Sequence, residues 1–119
     1  KDTAPKYSKP VVILMDEISQ SRAEQVIMGL RGGPNVVVMG QNSIGSNGGI
    51  TLLPLPDGDT LAYTSVGVYD PNGNTYQCEG LSPDIYVERT IAGVREGRDE
   101  FIEAAIQYII DKNAEVQNE

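Results

Sequence analysis

The chain has 119 residues, 39% hydrophobic and 22% charged, the balance of a soluble globular unit long enough to bury a core. Nine basic against seventeen acidic residues leave a net charge of −8, which excludes a general nucleic-acid or anionic-membrane surface, because phosphates need a basic footprint. With no histidine and a single cysteine, Cys78, the chain builds no disulfide scaffold, no Cys/His zinc site and no histidine triad of its own.

Residues 1–9 read as a solvated linker without the apolar core of a signal peptide, so any export signal is expected outside this chain. "PVVILMDE" (10–17) is a continuous β-branched apolar run ending in two acids, and it predicts a strand buried on both faces. In "SRAEQVIMGLRGG" (21–33), Ala23, Val26, Ile27 and Leu30 recur at i, i+3, i+4 and i+7. That spacing predicts a helix packing this face on a sheet, ended by Gly32 and Gly33. "NVVVMG" (35–40) predicts a second strand, parallel to the first, so that residues 10–40 form a βαβ unit.

"QNSIGSNGG" (41–49) is loop composition. "ITLLPL" and "DTLAYTSVGVY" flank "PDGD", which predicts an antiparallel hairpin. "DPNGNT" (70–75) is a turn, and "SPDIYVE" offers one more short strand. "GRDEFIEAAIQYIIDKN" predicts a closing helix, with Asp99 as N-cap and Ile102, Ala105, Ile106, Ile109 and Ile110 as its apolar face. Residues 113–119 read as a frayed polar tail. Cys78 reads as a packing residue, since no resident histidine would lower its pKa.

Chemistry points to Ser21, and two readings share its geometry. "SRAE" fits a capping box, in which Ser21 accepts from the Glu24 N–H and Glu24 reaches back to the Ser21 N–H. The same serine stands beyond a parallel strand's carboxyl end at a helix mouth, where open α/β sheets bind ligands and helix N–H groups favour negative charge. Attack by Ser21 would form an oxyanion that the Arg22 N–H could hold, but the hydroxyl would still need a base.

A family resemblance bears on this choice. "VVILMDEISQSRAEQVIMGLRGGPNVVVMGQNSIGSNGG" resembles the carboxy-terminal processing and tricorn-type serine peptidases, with their "T/S-x-S-x-x-E" turn followed by "V-x-G-x-x-x-x-G". The likeness continues through "LPDGDTLAYTSVGVYDPNGNTYQCEGLSPDIYV". It extends to "TIAGVREGRDEFIEAAIQYI", similar to the closing helix of an envelope-associated branch from Bacteroides-like bacteria. It covers roughly residues 10–111.

By position, the resemblance implies Ser21 as nucleophile, the Arg22 backbone N–H as part of the oxyanion hole, and Gln77 as a possible orienting residue. Where the processing proteases carry the lysine of a Ser–Lys dyad this chain has Ser46, and Ile50 replaces the glutamine that follows, which excludes the dyad here. Ser46 then reads as a loop residue. The tricorn-type branch draws a histidine and an auxiliary serine from an earlier segment and a glutamate before "G-x-x-P-D". Gln77 is the counterpart by register, Glu79 is a charged alternative more simply read as solvated, and Asp84 reads as structural.

The resemblance thus implies the C-terminal half (10–112) of a serine peptidase domain of ClpP/crotonase-like α/β architecture, a parallel βαβ core followed by hairpin strands and a helix. It implies peptide or unfolded-protein substrates, no cofactor or metal, a base from the missing N-terminal half, and a place in the cell envelope or periplasm. The rival reading is a non-catalytic ligand- or peptide-binding domain of the same fold, as in the retinoid-binding repeats of the eye. An acyl-CoA enzyme of the related crotonase superfamily is disfavoured, because no CoA-binding signature is present.

Overall fold

Val11–Met15 form strand β1 and Val36–Gly40 form β2, parallel to it, in a computed structural model that describes residues 7–117. Helix α1, Arg22–Leu30, connects them. A two-residue strand, β5 (Ile85–Tyr86), pairs parallel with the other edge of β2, so β2 is central in a β1-β2-β5 sheet. Between β2 and β5 in sequence, β3 (Gly49–Pro54) and β4 (Thr60–Val66) make the expected antiparallel hairpin around the "PDGD" turn. Helices α2 (Ile91–Glu96) and α3 (Glu100–Gln117) close the chain.

Alternation along the parallel strands supplies a core on each face. On one face Met15 and Val38 pack with Ile27 of α1 and Leu81, joined by Ile13 and Met28. On the other, Val37 and Met39 meet Ala105 of α3, with Val12, Ala104 and Tyr108 alongside. The result is a helix–sheet–helix layering; β2 is buried, whereas β1, predicted to be buried on both faces, lies at the sheet edge with Leu14 exposed and only Met15 fully buried.

The helices face the sheet differently from the expectation. On α1 the buried positions are Glu24 and Ile27, with Met28 half-buried, while Val26 and Leu30 are about half exposed at 51% and 50%. Glu24, Ile27, Met28 and Arg31 also recur at i, i+3, i+4 and i+7, so helical spacing permits either stripe. Hydrogen-bond donors from another segment draw the Glu24 stripe inward. On α3, Phe101 and Ala105 are buried, whereas Ile102, Ile106 and Ile110 are exposed.

Further differences are local. Helix α2 was not expected; Thr90 caps it by accepting from the Gly93 N–H at 2.9 Å, and Gly97 ends it in the left-handed conformation. Asp99 caps α3 as predicted, its Oδ1 accepting from Phe101 and Ile102 N–H. That helix runs to Gln117 rather than fraying at 113, supported by the Lys112–Glu115 pair at 2.7 Å. Of the expected linker and tail, residues 1–6 and 118–119 lie outside the described residues, and 7–9 carry no helix or strand.

The β3–β4 hairpin leaves Ile50, Leu52, Leu53, Leu61, Tyr63 and Val66 exposed. The radius of gyration is 18.6 Å, against about 13.5 Å for a compact chain of this length. Among the described residues no helix is long and apolar enough to cross a membrane.

Candidate active site

The site grows from the loop after β1. The Ser19 hydroxyl donates to Asp16 Oδ1 at 2.9 Å and accepts from the Asp16 N–H at 3.1 Å, folding 16–19 into a tight turn. Burial pushes the Asp16 carboxyl up in pKa, but the Ser19 hydroxyl, the Ile18 N–H and Arg89 outweigh it and hold the group below its ordinary value. The Ser19 carbonyl accepts from the Ile44 N–H at 3.0 Å, which joins this turn to the loop after β2.

Ser21 follows as N-cap of α1, exposed, with φ 55° and ψ −115°. Positive φ is uncommon for a residue with a Cβ and persists only where the surroundings over-determine it. Its N–H is held twice, by the Ser46 carbonyl at 2.8 Å and by Glu24 Oε2 at 3.1 Å. The expected capping box is present: the Glu24 carboxylate accepts from the Ser21 N–H, and the Ser21 hydroxyl faces the Glu24 N–H without a full hydrogen bond to it. As the first helical residue, Arg22 has a backbone N–H with no partner within the helix, a donor suited to an oxyanion.

Glu24 is completely buried. Its Oε1 accepts from the Ser43 hydroxyl at 2.5 Å and the Gly45 N–H at 2.8 Å, and the Ser43 hydroxyl accepts from the Leu81 N–H at 2.7 Å. Sequence reasoning saw this glutamate only as a capping partner. The signal that could have found it was the polar Gly/Ser loop at 41–49, which supplies the donors. Gly45 and Gly80 let these segments touch: a Cβ on Gly80 would run into the Ser43 carbonyl, and one on Gly45 into the Gly80 backbone.

Gln77 reaches the same loop. Its Oε1 accepts from the Asn47 N–H at 2.9 Å, and the Asn47 side chain accepts from Gln25 of α1 at 3.0 Å. Ser21, Ser46 and the Gln77 segment are thus gathered on one set of loops, with Ser46 exposed and contributing its carbonyl. Glu79 is exposed, as expected. Cys78 is exposed rather than packed, because its left-handed conformation (φ 67°) turns the side chain out while its N–H bonds the Gly45 carbonyl at 2.7 Å.

Asp84 is structural in a more specific way than a turn. Its Oδ2 accepts from the Val38 N–H at 2.8 Å and its Oδ1 pairs with Arg31, tying β2, β5 and α1 together. Burial raises its pKa, yet the Val38 N–H and Arg31 prevail and hold it below the ordinary value. Two clefts flank the fold, one of about 600 Å³ between α1 and the Asp70 turn and one of about 210 Å³ beside Asp16 and Phe101, and Ser21 lines neither. It stands on an open edge. The described lysines lie elsewhere, Lys9 before β1 and Lys112 on α3 paired with Glu115.

The profile of peptidase family S41 matches residues 1–87, most of the chain. The chain belongs to peptidase family S41. Among curated relatives, this S41 chain is 31% identical over 91 residues to the carboxy-terminal-processing protease of Bartonella bacilliformis, covering 76% of the chain and 21% of that protein. It is 36% identical over 76 residues to the nisin-resistance protein of Lactococcus lactis, covering 64% of the chain and 24% of that protein. It therefore spans about a fifth to a quarter of the curated relatives it matches. A candidate peptidase from Parabacteroides merdae superposes with a TM-score of 0.81 at 30% identity, over 91% of this chain and 34% of that one. The tricorn protease superposes with a TM-score of 0.75 over 87% of this chain and 10% of its own, at 20% identity, a likeness of fold alone. The α/β architecture with a parallel sheet and packed helices is thus shared with solved S41-type structures.

Proposed function

We propose that residues 10–112 are the C-terminal half of a serine peptidase domain of ClpP/crotonase-like architecture, and that Ser21 is its nucleophile. The observation that carries this reading is Ser21 itself: exposed at the mouth of α1 and held in a strained backbone conformation that ordinary helix capping does not require.

In this reaction the Ser21 hydroxyl attacks the scissile peptide carbonyl and gives its proton to a base. The oxyanion is held in part by the Arg22 N–H. Collapse releases the amine, which takes the proton back, and leaves an acyl-enzyme on Ser21 for water to hydrolyse. The base and the second oxyanion donor come from the rest of the catalytic domain, since this chain has no histidine and carries Ser46 at the lysine position. Gln77 acts as an orienting amide through the Asn47 loop. The substrate is a peptide or unfolded protein, and the compartment is the cell envelope or periplasm, on the strength of the resemblance to an envelope-associated branch.

The test is fluorophosphonate labelling and casein cleavage by the parent protein. Labelling at Ser21, lost together with turnover in Ser21→Ala, is the expected result. A Ser21→Ala protein that still cleaves casein would overturn the assignment, and a parent that binds peptides but is never labelled would favour the binding-domain reading.

A further inference from the structure

We propose that Glu24 is a positioning residue for the reaction: its buried carboxylate turns the Ser21 N–H inward and so holds Ser21 with its hydroxyl and the Arg22 N–H facing out. This rests on Ser21 being the nucleophile. An ordinary capping box needs one surface carboxylate and one hydrogen bond. Here the carboxylate is 0% exposed and takes three donors from two segments of the chain, the Ser21 N–H, the Ser43 hydroxyl and the Gly45 N–H. Through Ser43 it also reaches the Leu81 N–H. Taking a carboxylate wholly out of water is unfavourable unless its lone pairs are satisfied, and these donors satisfy them.

The arrangement bears directly on Ser21. Two acceptors, Glu24 Oε2 and the Ser46 carbonyl, pull one N–H toward the interior, and φ 55° is the conformation they enforce. With the N–H pinned inward, Ser21 stays exposed at the mouth of α1. The Ser46 carbonyl alone would leave Ser21 free to relax toward ordinary φ, which would carry the hydroxyl and the Arg22 N–H away from their present positions.

Both carboxylate oxygens face donors, so an amide fits neither way round. Glu24→Gln sets an NH₂ group against either the Ser21 N–H or the Ser43 and Gly45 donors. In the parent protein kcat for peptide cleavage should fall about 10²-fold with KM little changed, the scale of a small misplacement of the reacting group. Asp84→Asn is the matched control, because it breaks another inter-element carboxylate contact whose partners, the Val38 N–H and Arg31, share no hydrogen bond with Ser21 or Glu24. It should lower the melting temperature while leaving kcat near wild type.

If Glu24→Gln lowers the melting temperature but keeps wild-type kcat, or if both variants lose kcat in proportion to stability, the positioning role is overturned. Should Glu24→Gln fail to fold, Glu24→Asp keeps the charge but is one methylene too short to span Ser21 and Gly45. It should show the same loss of kcat, and wild-type kcat in the folded variant also overturns the proposal. A Ser21→Ala protein that retains turnover sinks the nucleophile reading instead. An inactive Ser21→Ala beside a fully active Glu24→Gln sinks only the role of Glu24.

Discussion

Ser21 combines two demands that pull against each other. A serine at a helix mouth is most stable with its hydroxyl on the N3 amide, and with φ in the ordinary negative range. Here the capping-box arrangement is kept but φ is 55°, and the strain is carried by bonds from Ser46 and Glu24. Glycine adopts φ 55° without a Cβ penalty, so the strain can be read from a pair of variants. Ser21→Ala and Ser21→Gly both lack the hydroxyl and should both be inactive. Ser21→Gly should nonetheless be the more stable of the two by about 1 kcal/mol, the lower end of what such backbone strain is worth. Urea unfolding of the two parent-protein variants measures the difference; equal stabilities would mean that the conformation is relaxed. The trade of stability for a poised group is a common feature of functional sites.

At the scale of elements, each of the two longer helices has two stripes and only one is satisfied. Helix α1 lays Glu24, Ile27 and Met28 on the sheet and leaves Val26 and Leu30 in the open, while α3 does the same with Ile102, Ile106 and Ile110. Exposed apolar faces of this extent mark surfaces that pack on something else. We expect these faces to meet the remainder of the catalytic domain. Val26→Asp and Ile106→Asp should then each destabilise the parent protein by about 1–3 kcal/mol, the penalty of burying an uncompensated polar group. Substitutions on a truly solvated helix face stay within roughly 0.5 kcal/mol of neutral. Thermal melts of both variants within that margin would show the faces to be solvated in the parent as well.

The whole molecule is extended, with a radius of gyration of 18.6 Å and an accessible surface of 8657 Å². A compact monomer of this mass exposes about 6,300 Å². Many of the exposed large apolar side chains lie on the helix stripes and on a two-stranded hairpin, a unit that is marginal when isolated. Under the proposed reaction the chemistry is incomplete in the same sense. A serine hydroxyl is a poor nucleophile without a positioned base, and loss of a single oxyanion donor typically lowers the rate about 10²–10³-fold. The 119-residue chain should therefore show no fluorophosphonate labelling at Ser21 and no casein cleavage, whereas the parent protein shows both. Robust cleavage by the chain alone would place the base among these residues and refute its supply from elsewhere.

Much of this was legible from residues alone, because it rests on local rules. The β-branched runs at 10–17 and 35–40, the apolar-periodic segment between them, the "PDGD" and "DPNGNT" turns and the Asp99 cap each depend on neighbours in sequence, and each took the expected strand, helix, turn or cap. Ser21 at the helix mouth followed from the same rules, and the family from the order of its motifs. What could not be read were choices between equivalent local options. Spacing on α1 admitted two faces, and donors from residues 43 and 45 selected the one with Glu24. Cys78 looked apolar enough to pack until the turn at 76–80, closed against Gly45, set its φ positive and sent it outward. The positive φ of Ser21 was set by a carbonyl at Ser46 and by a carboxylate that could be buried only once residues 21–24 and 43–45 had met. Periodicity and capping act over a few residues; hydrogen bonds between distant segments decide which of their permitted outcomes survives.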